Sequence, residues 1–147
     1  MIDPTAFIFA FFIGFFGIPI LNKVRLSFLE SRMKYVKALL DFAENIHKVA
    51  DKGIEKVEQK AKTKPEDITI DYLGDSLLLM CLNEILRQIN QECHKTKSLP
   101  FLYISNPEEK VRRKFSKSLP VLNTAYERFV LDKPHKVLSE DAIKKLK

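Results

Sequence analysis

The hydrophobic and polar positions divide the chain into an apolar leader and an amphipathic body. Nineteen consecutive uncharged residues, Pro4 to Asn22, precede the first basic residue, Lys23. As an α-helix this run would be about 28 Å long, close to the ~30 Å hydrocarbon core of a bilayer. Its phenylalanines fall on every side, whereas a surface helix of a globular domain keeps a polar stripe. The pattern therefore predicts a single transmembrane helix near the N-terminus.

The leader differs from a cleaved signal peptide at both of its ends. A signal peptide has a basic n-region and small residues at its cleavage site. Met1-Ile2-Asp3 precedes the apolar run and Ile18 to Asn22 completes it, and neither segment has the required feature. We therefore expect residues 1–22 to form an uncleaved anchor and residues 23–147 to form one helical domain. Cleavage of the leader and its burial as a core helix are the alternatives.

Positive charge follows the leader directly. Between Asn22 and Lys37 there are five basic residues and one acidic residue. The positive-inside rule then places the body in the cytoplasm, or on the matrix side of an organelle inner membrane, with the N-terminus outside. Anionic headgroups on that side attract basic side chains by about 1 kcal/mol each. We expect Lys23, Arg25 and Arg32 to contact these headgroups.

Between Leu26 and Ala61 the apolar residues recur at alternating spacings of three and four, without a proline. This is a heptad pattern, and a second apolar seam runs beside the first. Together they are wider than the face that a dimeric coiled coil needs, so we expect the first half of the helix to pack against other helices of its own domain. The first seam comprises Leu29, Met33, Val36, Leu40, Ala43, His47, Ala50, Ile54, Val57 and Ala61. The second comprises Phe28, Tyr35, Leu39, Phe42, Ile46 and Val49.

Further helices are predicted downstream. A helix over about 71–93 contains six consecutive apolar residues, 77–82, and is expected to be the most buried helix of the domain. Asn106 followed by proline and two acids is a strong helix start. Pro120 should interrupt that helix, and Ser139 could cap a last short one. The predicted fold class is mainly α: one transmembrane helix followed by a small helical bundle with one long heptad-patterned helix.

The sequence contains no recognisable catalytic or metal-binding motif. Cys81 and Cys93 would lie roughly 18 Å apart on one helix, too far for a disulfide, and zinc-ligand spacing is missing. Asp67, Asp71 and Asp75 form an acidic stripe, which complements a helix dipole more readily than it supplies paired catalytic carboxylates. We therefore predict no catalytic residue, no cofactor and no metal, and favour a protein without enzymatic activity. A membrane-anchored enzyme with an inconspicuous active site is the alternative.

The C-terminal third is basic: from Glu108 to Lys147 there are eleven basic and six acidic residues. Nucleic-acid binding is disfavoured, because the single aromatic residue in the densest basic cluster, Phe115, has core spacing. We predict an accessory or scaffolding subunit, or a tether, in a membrane protein complex, whose partners are membrane lipids and other subunits. Self-association, or a basic lipid- or nucleic-acid-binding domain held at the membrane, are alternatives. Arg112, Arg113 and Lys114 are the residues predicted to contact an acidic partner or lipid.

Overall fold

The computed structural model describes Ile8 and residues 10–63, 70–99 and 102–134. Within these ranges the chain forms four α-helices and no β-strand, which confirms the predicted mainly α fold class. The short 3₁₀ turn Ser116–Ser118 separates the last two helices. We label the helices α1 (Ile18–Thr63), α2 (Ile70–Ser98), α3 (Pro107–Lys114) and α4 (Leu119–Phe129).

Helix α1 is continuous with the apolar segment that precedes it. The whole helix runs from Ala10 to Thr63, 54 residues, and is roughly 80 Å long at 1.5 Å per residue. A π-helical turn at Ile13–Gly17 lies in its apolar part. The helix continues through Pro19, which lies two residues after that turn and has no N–H to donate to the carbonyl four residues earlier. One rod therefore joins the apolar leader to the domain.

Helices α1 and α2 form an antiparallel pair, and α3 and α4 pack along it. Lys60 of α1 contacts Asp75 near the start of α2, whereas Tyr35 of α1 contacts Glu92 near the end of α2. The rings of Phe42 and Phe115 are 5.6 Å apart, so the segment after α3 lies beside the middle of α1. The bundle thus has three rows of helix, and its third row is broken between α3 and α4.

The buried apolar residues of α1 come from one of the two predicted seams. They are Tyr35, Leu39 and Ile46, all from the second seam. From the first seam, Met33, Leu40, His47 and Ile54 are exposed, and Val36, Ala43, Ala50 and Val57 are only half-buried. The expected packing therefore holds for the second seam and only in part for the first, whose Val36, Ala43 and Ala50 pack against the core. The exposed residues of the first seam remain so because α2, α3 and α4 do not cover the outer side of α1.

Helix α2 is less buried than its apolar run predicts. Leu82 is fully buried and its neighbours Leu78 and Leu79 are half-buried, but Leu77 and Met80 are exposed. Successive helical residues turn by about 100°, so six consecutive apolar residues cover every side of the helix. The bundle packs against one side of α2 and leaves the other uncovered.

The sequence predicts the start of α3 correctly, but it places the end of that helix too late, at Pro120. The Asn106 side chain accepts a hydrogen bond from the Glu109 N–H at 3.2 Å, which confirms the predicted cap. Helix α3 ends before Phe115, and Pro120 lies in the first turn of α4. A proline costs little there, because first-turn N–H groups have no partner within the helix. The predicted cap at Ser139 lies outside the described residues.

Candidate interaction surfaces

The apolar leader is exposed along its whole described length. Within the described residues one helix, Ala10–Thr63, is long and apolar enough to cross a bilayer; its most apolar window has a mean hydropathy of 1.4 and no buried residue. Its phenylalanines contact one another one helical turn apart: the rings of Phe11 and Phe15 stack at 5.6 Å, and those of Phe12 and Phe16 at 5.8 Å. A core helix would bury these rings against other helices, and the bundle does not reach them.

Lys23 and Arg25 lie on an exposed stretch of helix between the uncharged run that ends at Asn22 and the bundle. The first tertiary contacts come later, where the ring of Phe28 meets that of Tyr103 at 6.3 Å. Ser31 follows, with its Oγ atom donating to the Ile104 carbonyl and accepting from the Ile104 N–H. Because the helix is continuous, the bundle begins about 8 Å along the helix axis from Lys23.

Arg32 occupies a different environment from Lys23 and Arg25. Its guanidinium donates to the Leu99 carbonyl at 2.7 Å and to the Lys97 carbonyl at 3.3 Å, both at the C-terminal end of α2. A cation in this position complements the partial negative charge of the helix end. Arg32 therefore joins α2 to α1, a role that sequence reasoning missed because the two contacts span more than sixty residues.

The predicted site residues of α3 are partly engaged within the bundle. Arg113 forms an ion pair with Glu109 at 2.9 Å, one turn earlier on the same helix. Lys114 pairs with Glu92 of α2, which also accepts a hydrogen bond from the Tyr35 hydroxyl. Burial and the Glu92 carboxylate raise the pKa of Tyr35 well above its ordinary value, so that hydroxyl remains a donor.

Arg112 is exposed and lines a shallow groove of about 360 Å³ together with Asp41 and Glu108. The structure thus brings Arg112, Arg113 and Lys114 to one helical turn, and it places Lys23 and Arg25 together on the preceding helix. These two basic groups lie on separate helices, α3 and α1. Arg32 belongs to neither group, because it is hydrogen-bonded to the end of α2.

A second groove, of about 470 Å³, lies at the end of the bundle nearest the apolar window. Three cations, Lys110, Arg113 and Lys114, line it with a single acid, Glu109, and the exposed Tyr103 ring. The Lys110 ammonium also lies 5.0 Å from the centre of the Tyr35 ring, a cation–π contact that holds it in place. Arg113 and Lys114 already pair with Glu109 and Glu92, so an anion in this groove would compete with those carboxylates.

At the opposite end of the bundle a carboxylate is buried among cations. Asp75 is fully buried, and both of its oxygens accept hydrogen bonds from Arg128, at 2.7 Å and 3.2 Å. Lys60 donates to the same carboxylate at 2.8 Å. The bond to Asp75 raises the pKa of Arg128 above its already high ordinary value. The cluster joins α1, α2 and α4, and its chemistry is that of a structural ion pair.

The residues of the acidic stripe predicted on α2 therefore have different environments. Asp71 lies in the first turn of α2, as the dipole argument requires, and its carboxylate is 4.0 Å from Arg128. Asp67 lies outside the described residues. The signal for Asp75 was present in the spacing, since it precedes the buried Leu82 by two helical turns, but its partner Arg128 is 53 residues away.

The remaining titratable groups have ordinary structural surroundings. Glu84 pairs with Arg87 on the surface of α2, and this bond lowers the pKa of Glu84 to about 2. Cys93 is buried, which raises the pKa of its thiol, and Cys81 is exposed. In the described part of the chain no three histidine, cysteine or acidic residues are grouped so as to hold a metal ion.

Comparison with known proteins gives no match. No family model matches this chain, and neither the curated proteins nor the solved structures contain a match to it.

Proposed function

We propose that this chain is a single-pass membrane-anchored helical protein that acts as an accessory or scaffolding subunit, or as a tether, in a membrane protein complex. One observation carries the proposal: the helix Ala10–Thr63 is apolar and exposed in its first part and is the spine of the bundle in its second part. Such a helix is suited to holding a folded domain at a set distance from a bilayer.

The free energy of transfer supports insertion of the leader. Burying one phenylalanine or isoleucine side chain away from water is worth roughly 1.5–3 kcal/mol. Four phenylalanines between Phe11 and Phe16 are each more than half exposed, and so are Ile13 and Ile18. Since no described part of the chain covers them, lipid is the solvent in which we expect this segment to be stable. Continuity with α1 supports retention of the leader in the mature chain.

We also propose that the bundle lies on the cytoplasmic or matrix side. Lys23, Arg25 and Lys37 are exposed and follow the uncharged run that ends at Asn22, as the positive-inside rule requires. The partner surfaces are then the basic groove beside Tyr103, at the membrane end of the bundle, and the last turn of α3, beside the middle of α1. Anionic headgroups or an acidic surface of another subunit are the ligands that fit them.

Alkaline carbonate extraction tests the anchor. The full chain is expected to remain in the membrane pellet, because the exposed leader is held by apolar transfer rather than by charge. A variant with Phe12→Lys and Phe15→Lys is expected in the soluble fraction, since a basic residue at the centre of a span costs about 2.5–3.5 kcal/mol. Lys52→Glu, on the exposed face of α1, serves as the control and should stay with the membrane.

Release of the unaltered chain by carbonate would contradict the anchor. Orientation is read from a tag placed after Lys147 on the same chain in sealed vesicles with the cytoplasmic face outward. We expect protease to remove the tag without detergent; protection of the tag would contradict the proposed side.

Charge reversal on α3 tests the basic surface. In nanodiscs, a fluorophore at Ser105→Cys, in a Cys81→Ser background, should show energy transfer to headgroup-labelled lipid that increases when phosphatidylserine is added. Arg112→Glu with Arg113→Glu should abolish this increase, because about 1 kcal/mol per basic residue corresponds to a ~30-fold shift for two residues. Lys114 is left in place because it pairs with Glu92.

The matched control is Lys52→Glu with Lys62→Glu, which makes the same change in net charge on exposed positions at the far end of α1. It should respond to phosphatidylserine like the unaltered chain. An undiminished response of the α3 variant would remove lipid headgroups as ligands of this surface.

A further inference from the structure

A groove between α1 and the end of α2 leaves apolar side chains of the bundle uncovered. It has a volume of about 320 Å³, and α1 contributes all but one of its lining residues. The lining residues are Arg32, Met33, Val36, Lys37, Leu40 and Lys97. Helices α3 and α4 contribute nothing to it. The groove is thus separate from the basic groove and the last turn of α3 described above.

The floor of the groove belongs to the first seam of α1, which the core covers only in part: Val36 packs against the core, whereas Met33 and Leu40 are exposed. Met33 is 71% exposed and Leu40 is 57% exposed, with the half-buried Val36 between them. Their spacing of three and four is the spacing at which a helix presents apolar side chains to a second helix. An occupant that is itself helical and apolar on one face would complete this seam as the bundle completes the other.

Charge decides between the partners that such a seam could take. Every ionisable residue that lines the groove is basic: Arg32, Lys37 and Lys97. A second copy docking its own groove here by two-fold symmetry would bring the same three cations from each side together, which is unfavourable. A helix with acidic residues flanking its apolar face would instead place carboxylates opposite these cations.

Arg32 also fixes the shape of the groove. Its bonds to the Lys97 and Leu99 carbonyls hold the end of α2 against α1, so the cationic edge is present before any partner arrives. The floor begins one residue beyond Arg32, about 15 Å along the helix from Lys23. On the membrane placement proposed above, the occupant lies close to the bilayer.

We propose that this groove docks an acidic amphipathic helix of a partner protein. The inference rests on the proposed function for the location of that partner near a membrane, and on the groove itself for its chemistry. Val36 and Leu40 supply the apolar contact, and Lys37 and Lys97 select the acidic flanks.

Peptide binding to the full chain in phosphatidylcholine nanodiscs tests this proposal. The probe is a fluorescent synthetic helix with leucine at the seam positions and glutamate beside them; its counterpart has lysine in place of glutamate. By fluorescence anisotropy, the glutamate peptide is expected to bind at least about 10-fold more tightly than the lysine peptide. Leu40→Glu should weaken its binding by about 10-fold or more, through lost apolar contact and like charge.

Matched variants separate the groove from the rest of the helix. Ile54→Glu introduces the same exposed charge on the same seam but outside the groove, and should bind like the unaltered chain. Lys37→Glu should weaken binding of the glutamate peptide, whereas Lys52→Glu should not. All four positions are exposed, so each variant is expected to keep the helical circular dichroism of the parent chain.

Three results would overturn the proposal: absence of binding by the glutamate peptide, equal binding of both peptides, or equal loss in Leu40→Glu and Ile54→Glu. Efficient disulfide crosslinking of Met33→Cys between two copies in native membranes would also overturn it, by showing that a second copy occupies the groove. Carbonate extraction reports separately on the anchor, so failure of peptide binding leaves the membrane placement standing, and the reverse also holds.

Discussion

Replacing Asp75 with alanine is expected to lower the free energy of unfolding by about 3–5 kcal/mol, the usual cost of breaking a buried ion pair on one side. Asp75 is fully buried, and its carboxylate accepts from Arg128 and Lys60 at 2.7–3.2 Å. The Arg128 side chain is only 12% exposed, so it would stay charged in a place that water barely reaches, with the exposed Asp71 carboxylate at 4.0 Å as a weaker counter-charge. Urea unfolding of the full chain in mild detergent, followed by circular dichroism, measures the loss.

A neighbouring acid provides the control. Asp71→Ala removes an exposed carboxylate that lies 4.0 Å from Arg128, and should cost no more than about 1 kcal/mol because solvent screens it. The paired change Asp75→Leu with Arg128→Met removes both charges, and should recover most of the lost stability. An Asp75→Ala variant as stable as Asp71→Ala would show that the ion pair does not hold α2 and α4 together.

The parts of the fold that depend on local chemistry were predictable from the sequence. The spacing of threes and fours over Leu26 to Ala61 predicts a helix, and α1 includes that whole range. Asn106 followed by Pro107 predicts the start of α3, because the cap is made by side chains within one turn. Neither prediction needs knowledge of what the helix packs against.

The side of each helix that the core uses was not predictable in the same way. Both seams of α1 have helical spacing and similar apolar content, and the choice between Leu39 and Leu40 depends on where α2, α3 and α4 lie. Burial of Asp75 likewise depends on a cation 53 residues away. Such contacts are set by tertiary packing, which periodicity along one helix does not encode.

The same limit applies to the candidate site. Sequence reasoning treated Lys23, Arg25 and Arg32 as one group of headgroup contacts. In the structure the first two are exposed, whereas Arg32 donates hydrogen bonds to carbonyls at the end of α2. Charge and spacing identify which residues are basic, but the fold decides which of them stay on a surface.

Gly53→Ala is expected to destabilise the bundle, opposite to what the isolated helix would do. Alanine is favoured over glycine inside a helix by about 1 kcal/mol, so the sequence alone predicts a gain. In the structure Gly53 is buried, and a Cβ atom there would lie 2.7 Å from Cε2 of Phe129 and 2.8 Å from Cδ2 of Leu79. Overpacking of this kind typically costs about 1–3 kcal/mol. Over most of that range the cost exceeds the gain of about 1 kcal/mol in helix propensity.

A double-mutant cycle with Phe129→Leu isolates the clash from the change in propensity. Phe129 is itself buried, so Phe129→Leu alone will destabilise, but it removes the ring that Gly53→Ala meets. The cost of Gly53→Ala should therefore fall by about 1 kcal/mol or more in that background, whereas distant sites would add without coupling. Gln59→Ala, exposed on the same helix, should change stability by no more than about 0.5 kcal/mol. Stabilisation by Gly53→Ala, or the same cost in both backgrounds, would mean that α4 does not pack against α1 at this glycine.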